Sequence, residues 1–247
     1  MNLALILKWL LFPGVNLHAR LRYRVIPSFF DSNSVDYPRR ILDAGCGNGM
    51  LSYQAYLRGN SVLGVSIKEG EIRRNRELFN VWLRIPEERL CFQVYNLYDI
   101  GNLGLTFDEI ICCEVLEHIR DDHRICESFF EILNPGGVLH LCCPNADHPD
   151  NQSQELDDSE SGGHVRPGYT WESYRRLLEP IGFELSPAIG LGGPIRQRLN
   201  RYITQFQQQV GLGPAILFFL ISYPLLALDA DNPRVPYSLY IRARKPM

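Results

Sequence analysis

Glu114, Glu117 and His118 stand at i, i+3 and i+4, so one helical turn sets two carboxylates and an imidazole on a single face. Such a trio can hold a divalent ion and leave positions for substrate oxygens. An imidazole that titrates near neutral pH can instead act as a general base, and His118 and His164 are both candidates. The plain alternative is an acidic helix cap and a histidine that walls a pocket. A second stretch with chemical potential lies upstream. Residues 40–42 form a short apolar run that ends at Asp43 and is followed by Gly45, Cys46, Gly47, Asn48 and Gly49. Glycine tolerates positive φ and lets the backbone come close to a ligand. A helical pattern over residues 51–58 then points free N–H groups and a positive dipole end at that ligand. The arrangement suits a nucleotide-like molecule with an anionic group, although the spacing is not the G-x-G-x-x-G of dinucleotide binders.

The elements that must position these groups read as alternating strands and helices. Strands are expected at residues 40–42, 62–65, 90–95, 107–113 and 138–143, with helices at 51–58, 69–84 and 121–133. Asn134-Pro135-Gly136-Gly137 is expected to break the chain after the last of these helices. A polar loop covers residues 144–168, a length typical of lids. A helix with Thr170 as N-cap follows, then a strand opening at residues 182–185. The final strand, residues 238–244, alternates in character as an antiparallel strand does. This order implies a mostly parallel sheet with ligands beyond the carboxyl ends of its strands.

The run from Asp43 to Gly49 closely resembles motif I of the class I S-adenosylmethionine (SAM) methyltransferases. Residues 107–119, together with residues 134–137 and Pro144-Asn145, resemble the O-methyltransferases of ubiquinone biosynthesis and the E-x-x-E-H methyltransferases that modify small RNAs. The resemblance covers about residues 40–185. It implies an α/β fold: a Rossmann-like, seven-stranded, mostly parallel sheet with helices on both faces, an antiparallel last strand and a helical insertion before it. It implies SAM as cofactor, held by Asp43, Gly45, Cys46, Gly47, Asn48 and Gly49. Ser66, followed by Ile67, stands where the family usually carries a ribose-binding acid, and Glu71 a turn later can take that part. Asn96 and Leu97 hold the adenine position, and Cys113 and Glu114 lie beside the cofactor. It also implies Glu114, Glu117, His118 and His164 as ligands of Mg2+ or another divalent cation, with Glu117, His118 and His164 as the catalytic groups. A metal would lower the pKa of an acceptor hydroxyl ahead of in-line displacement at the methyl carbon. The missing acid keeps open a catalytically silent SAM-binding scaffold.

The chain of 247 residues divides into an N-terminal segment 1–38, a core 39–190, an insertion 191–236 and a final strand 237–247. Hydrophobic residues make up 45%, enough for a large core, and the net charge of -3 leaves no footprint for a nucleic-acid partner. The seven cysteines include no C-x-x-C pair and read as reduced, buried thiols of a cytoplasmic protein. Residues 3–12 are apolar but too short to span a bilayer, which takes ~20 residues. They either pack on the domain or lie flat in a membrane interface. Arg20 and Arg24, at i and i+4, are solvated or close over a cofactor or a lipid headgroup. Residues 215–228 are apolar and interrupted by Pro224; they read as a core helix, a cap over the substrate or a membrane-facing helix. His140 reads as a core histidine inside its strand, and His18, His123 and His148 as surface or core residues. The expected acceptor is a hydroxyl of an apolar, lipid-like or membrane-associated small molecule, with a sugar or glycan precursor as the alternative.

Overall fold

The computed structural model describes residues 14–30, 38–157, 159–160, 162–230 and 233–247. The apolar run at residues 3–12 and Asp158 of the acidic loop lie outside them. The sheet is built from β1 (Arg40–Ala44), β2 (Ser61–Ser66), β3 (Leu90–Val94), β4 (Phe107–Cys113), β5 (Leu133–Pro144), β6 (Glu184–Leu185), β7 (Ile189–Leu191) and β8 (Ser238–Arg244). The order across it is β3-β2-β1-β4-β5-β8-β6, with β7 also on β8. β1 to β5 are parallel, and β8 runs antiparallel to β5, β6 and β7. The expected seventh strand is split. β6 pairs with Arg244 and Ala243, whereas β7 pairs with Tyr240 to Ser238. Both lie on the same edge of β8, so the two short strands share one sheet position.

Successive residues of a strand face opposite sides, and the two cores follow from that rule. Ile41 and Ile111 pack on one face with Phe79, Phe92 and Tyr240. Leu42 and Ile110 pack on the other with Phe129, Leu141 and Tyr174. Helices cover each face: α1 (Leu17–Val25), α2 (Met50–Leu57) and α3 (Glu69–Asn75) on one, α4 (Asp122–Ile132) and α6 (Trp171–Leu178) on the other. Their starts carry the caps that the sequence promises. Asp121 accepts from the Arg124 N–H at 3.2 Å, and Thr170 and Ser173 form a reciprocal capping box.

Two expectations shift. The helix at 69–84 is α-helical only to Asn75 and continues as a π-helix, Arg76–Trp82. Residues 134–137 follow the end of the helix as expected, but the strand already begins at Leu133 rather than at Val138. Residues 134–137 form a bulge inside β5, since Leu133 pairs with Phe107 and Val138 with Glu109. Asn134 Nδ2 donates to Asp108 Oδ1 at 2.8 Å and holds that bulge. A short helix α5 (Pro149–Gln152) sits in the long polar loop.

The insertion forms α7 (Pro194–Val210), α8 (Leu212–Ser222) and a 3-10 turn, Tyr223–Leu228. A small third core joins it to α1 through Val15, Leu17, Ile203 and Phe219. α8 is not a core helix: it buries only Ala215, Phe219 and Ser222. Among the described residues no helix is long and apolar enough to cross a membrane.

Candidate active site

β1 and β4 end side by side, and the loops after them form the floor of a cavity of about 350 Å3. Gly45, Gly47, Ser66, Asn96, Val115 and His118 are among its walls. Gly45 has φ +80°, and a Cβ there would lie 2.3 Å from Val115 Cγ2. That close approach requires glycine. Gly47 also has positive φ, but a Cβ there would meet nothing within 4 Å, so its backbone borders open space.

After β4 the chain turns sharply. Glu114 takes φ +57°, a conformation that non-glycine residues rarely adopt and that concentrates at functional sites. Its carboxylate meets Arg22 of α1 at 3.3 Å and accepts from Ser238 Oγ at 3.5 Å. Burial works against the Arg22 charge, but the Glu114 carboxylate together with Cys113, Cys142 and Tyr23 outweighs it and the guanidinium pKa rises. A 3-10 turn, Leu116–His118, follows. His118 Nδ1 lies 2.8 Å from the Gly163 carbonyl, which can only accept, so Nδ1 carries the proton and Nε2 the lone pair. His164 packs edge-on against His118, with ring centroids 4.7 Å apart. Glu117 lies behind them, completely buried, and neither carboxylate oxygen has a hydrogen-bond partner among the described residues. His164 Nδ1 is likewise unpartnered. One ligand atom each from Glu117, His118 and His164 falls within a 4.8 Å cluster. Glu114 is not part of that cluster, because it is committed to Arg22.

The polar loop straps over this side. Val165 N–H donates to the Glu117 carbonyl at 2.8 Å, and Asp157 N–H to the His164 carbonyl at 2.7 Å. Glu160 accepts from the Tyr98 hydroxyl at 2.8 Å and from the Arg120 N–H. Arg166 pairs with Asp122 and anchors the far end.

A family model described as a methyltransferase domain matches residues 18–187. This chain belongs to that methyltransferase family. Relatives of the methyltransferase include the mitochondrial ubiquinone biosynthesis O-methyltransferase of Rattus norvegicus, 26% identical over 162 residues, covering 62% of this chain and 46% of that protein. The ubiquinone biosynthesis O-methyltransferase of Chromobacterium violaceum is 28% identical over 117 residues, covering 47% of this chain and 49% of that one. The chain therefore spans about half the length of these curated relatives. In fold it is similar to phosphoethanolamine N-methyltransferase 2 of Haemonchus contortus, solved with SAM, at TM-score 0.62 and 16% identity over 97% of this chain and 60% of that one.

The cavity of the methyltransferase fits SAM. Gly45 and Gly47 supply a cradle without side chains, and Ser66, Ile67, Glu71, Asn96, Leu97 and Glu114 all line it. Glu71 stands beside Ser66, whose Oγ donates to its Oε2 at 2.8 Å. Five other expected cofactor residues, Asp43, Cys46, Asn48, Gly49 and Cys113, do not line it. Asp43 is buried and accepts from Ser52 Oγ at 2.5 Å, and burial pushes its carboxyl up to about 6. Cys46 packs under the loop against the second core. Asn48 accepts from the Met50 N–H at 3.1 Å and from the Tyr23 hydroxyl at 3.3 Å. Gly49 caps α2, where a Cβ would lie 2.7 Å from the Phe79 ring. Cys113 is half-buried in β4. Tyr95, Tyr98 and Glu160 line the cavity and carried no motif, and Val115 lay within residues 107–119 without a role of its own. Arg22 lies between Arg20 and Arg24 in the sequence, where nothing announces its pairing with Glu114. Among the described residues of the insertion none lines this cavity.

Burial pushes the Glu117 carboxyl well above the usual carboxylate range, and the Glu114 charge adds to the rise. Burial, then the nearby His118, holds His164 below the usual imidazole value. The raised Glu117 pKa has a thermodynamic consequence. The folded state holds this proton more tightly than the unfolded chain, so wild-type stability is lost as pH climbs above about 4.3, the unfolded value. Glu117→Gln is expected to be more stable than wild type at neutral pH by on the order of 1 kcal/mol, at the expense of activity. In thermal melts the gap should widen from pH 4 upward. A constant gap would assign the effect to packing rather than to the carboxylate.

Proposed function

We propose that this methyltransferase uses SAM to methylate a hydroxyl of an apolar or membrane-associated small molecule. The observation that carries the reading is the His118 imidazole, which lines the cavity with its tautomer set by the Gly163 carbonyl and the buried Glu117 behind it. SAM, when bound, supplies a methyl group on a cationic sulfonium. His118 Nε2 is the group that accepts the acceptor's proton. Glu117 stabilises the imidazolium so formed, and the two rings of His118 and His164 hold each other in place. Val115, Ile119, Leu97 and Tyr98 make that part of the cavity apolar and favour exclusion of water. The similarity to ubiquinone biosynthesis O-methyltransferases supports an apolar phenolic acceptor.

The test pairs calorimetry with SAM, expected to give a micromolar Kd, with labelled methyl transfer to a prenylated catechol and to a free sugar. Transfer to the catechol hydroxyl is the expected result. Transfer to the sugar alone would move the reading to glycan precursors. SAM binding without turnover on any acceptor would leave a scaffold.

A second reading concerns the same three residues. Glu117, His118 and His164 would hold a divalent cation, and the observation that favours it is the 4.8 Å convergence around unpartnered atoms of Glu117 and His164. Donation from His118 Nδ1 to a backbone carbonyl is how metal-bound histidines are oriented. The cation would lower the pKa of the acceptor hydroxyl. Elemental analysis after dialysis against EDTA, followed by titration with Mg2+ and Zn2+, decides between the readings. Stoichiometric metal that is lost in Glu117→Gln supports the cation, and full activity in metal-free protein removes it.

A further inference from the structure

A second cavity, of about 560 Å3, lies beside α1. Arg22 reaches Glu114, while Arg20 and Arg24, one turn apart on a different face, line this other space. Arg196 of α7, Tyr223 and Asp229 complete its polar wall. Among the described residues three guanidinium groups therefore face one carboxylate, and that carboxylate is already engaged. Asp229 accepts from the Gly193 N–H at 3.1 Å and the Ile195 N–H at 3.0 Å, and it lies 3.5 Å from Arg196 Nε. Arg196 is only 9% exposed, yet its Nε has no hydrogen-bond partner among the described residues. Arg20 packs over the Phe219 ring and donates to the Gly14 carbonyl, so its guanidinium is held at the wall. Arg24 is exposed at the rim, with no carboxylate paired to it among the described residues. Burial disfavours the Arg196 cation, the Asp229 charge works against that, and the Arg24 charge adds to it.

The apolar neighbourhood is equally specific. The turn Tyr223–Leu228 supplies Tyr223, Pro224, Leu226 and Ala227 to the cavity. The remaining members point outward, with Leu228 71% exposed. Leu217, Leu220, Ile221, Leu225 and Leu228 recur at helical spacing along one stripe, and all five are exposed. Soluble monomers rarely leave such a stripe in water. The turn that supplies part of the cavity wall also carries Leu225 and Leu228 of the stripe, and a basic cavity beside an exposed apolar stripe matches an anionic bilayer in both charge and polarity.

We propose that this side of the protein docks on anionic phospholipid membranes, with a lipid phosphate held by Arg20, Arg24 and Arg196 and the Leu217–Leu228 stripe seated at the acyl boundary. Guanidinium groups bind phosphate oxygens through paired N–H donors. The inference deepens the proposed function and rests on it for the reason to visit a bilayer, where an apolar acceptor would reside.

The test is co-sedimentation of the full chain with vesicles of phosphatidylcholine alone and of phosphatidylcholine mixed with phosphatidylglycerol. Strong preference for the mixed vesicles is expected. Arg24→Glu, at an exposed position, should weaken that binding roughly thirtyfold, since it alters two units of charge near the surface. Ile221→Ser/Leu228→Ser should weaken it as well. SAM affinity, measured by calorimetry, should be unchanged in both variants; this separates failure of docking from failure of the methyltransferase reading. Equal binding to the two vesicle types, no binding to either, or an Arg24→Glu variant that binds like the parent would each overturn the proposal. So would Arg24-dependent binding of inorganic phosphate or pyrophosphate without vesicle binding, which would assign the cavity to a soluble phosphate.

Discussion

Gly45→Ala should reduce SAM affinity by at least a hundredfold and lower the melting temperature of the unliganded protein. Two costs add. An L-residue in left-handed backbone carries about 1–2 kcal/mol of strain. The new Cβ would also lie 2.3 Å from Val115 Cγ2, whereas carbon atoms rest ~3.5–4.0 Å apart. Val115 must then move, and it both lines the cavity and follows Glu114, whose φ of +57° leaves little slack. Gly47→Ala provides the control. It carries positive φ as well, but its Cβ meets nothing within 4 Å. It should lower the unliganded melt only by the backbone strain that both variants share, and weaken SAM binding through the space it takes from the cavity. Equal loss of stability in the two variants would show that strain, not the Val115 contact, governs this turn.

The contrast between these glycines marks what a sequence can and cannot convey. Strand ends that face a ligand depend on local spacing, and local spacing is on the page: β4 and β8 fall where their alternation places them. Spacing also places Gly45, Gly47 and Gly49 at one turn, but not the partner of each. Gly45 serves Val115 and Gly49 serves the Phe79 ring, contacts that join residues far apart in the chain. The π-helix after Asn75 and the bulge at residues 134–137 were hidden for a similar reason. Each keeps the expected residues but changes hydrogen-bond register, which depends on tertiary neighbours.

The site divides along the same line. Glu114, Glu117 and His118 look equivalent in sequence because they share helical spacing. The chain instead passes through a left-handed residue at Glu114 before the 3-10 turn. That kink sends Glu114 to Arg22 and leaves Glu117 and His118 with His164. The arginine that separates them sits on α1, 92 residues before Glu114 in the chain, where no motif announces it. The outward face of α8 was legible as an apolar run but not as an exposed one, because exposure is decided by which neighbours the insertion finds.

His118→Ala should lower kcat for methyl transfer by about 10²–10⁴-fold, the usual worth of a positioned general base, while SAM affinity changes little. The imidazole has one ring nitrogen held by the Gly163 carbonyl and the other 4.0 Å from Glu117 Oε1, so its loss removes the proton acceptor without removing the cradle at Gly45 and Gly47. Glu117 gives this prediction a pH signature. Its carboxyl titrates well above the usual carboxylate range because it is buried, with Glu114 adding to the effect. Below that pKa it is neutral and gives an imidazolium nothing to pair with; above it the carboxylate can. The rate of wild type should therefore rise with pH through an elevated acid limb, and Glu117→Gln should be slower with that limb absent. Burial, then the neighbouring His118, holds His164 below the usual imidazole value. Initial rates of wild type and both variants, measured from pH 5 to 9 at saturating SAM, make the comparison. A limb that persists unchanged in Glu117→Gln would separate the carboxylate from the proton transfer. Glu117 would then be a packing residue whose burial costs stability for some other end.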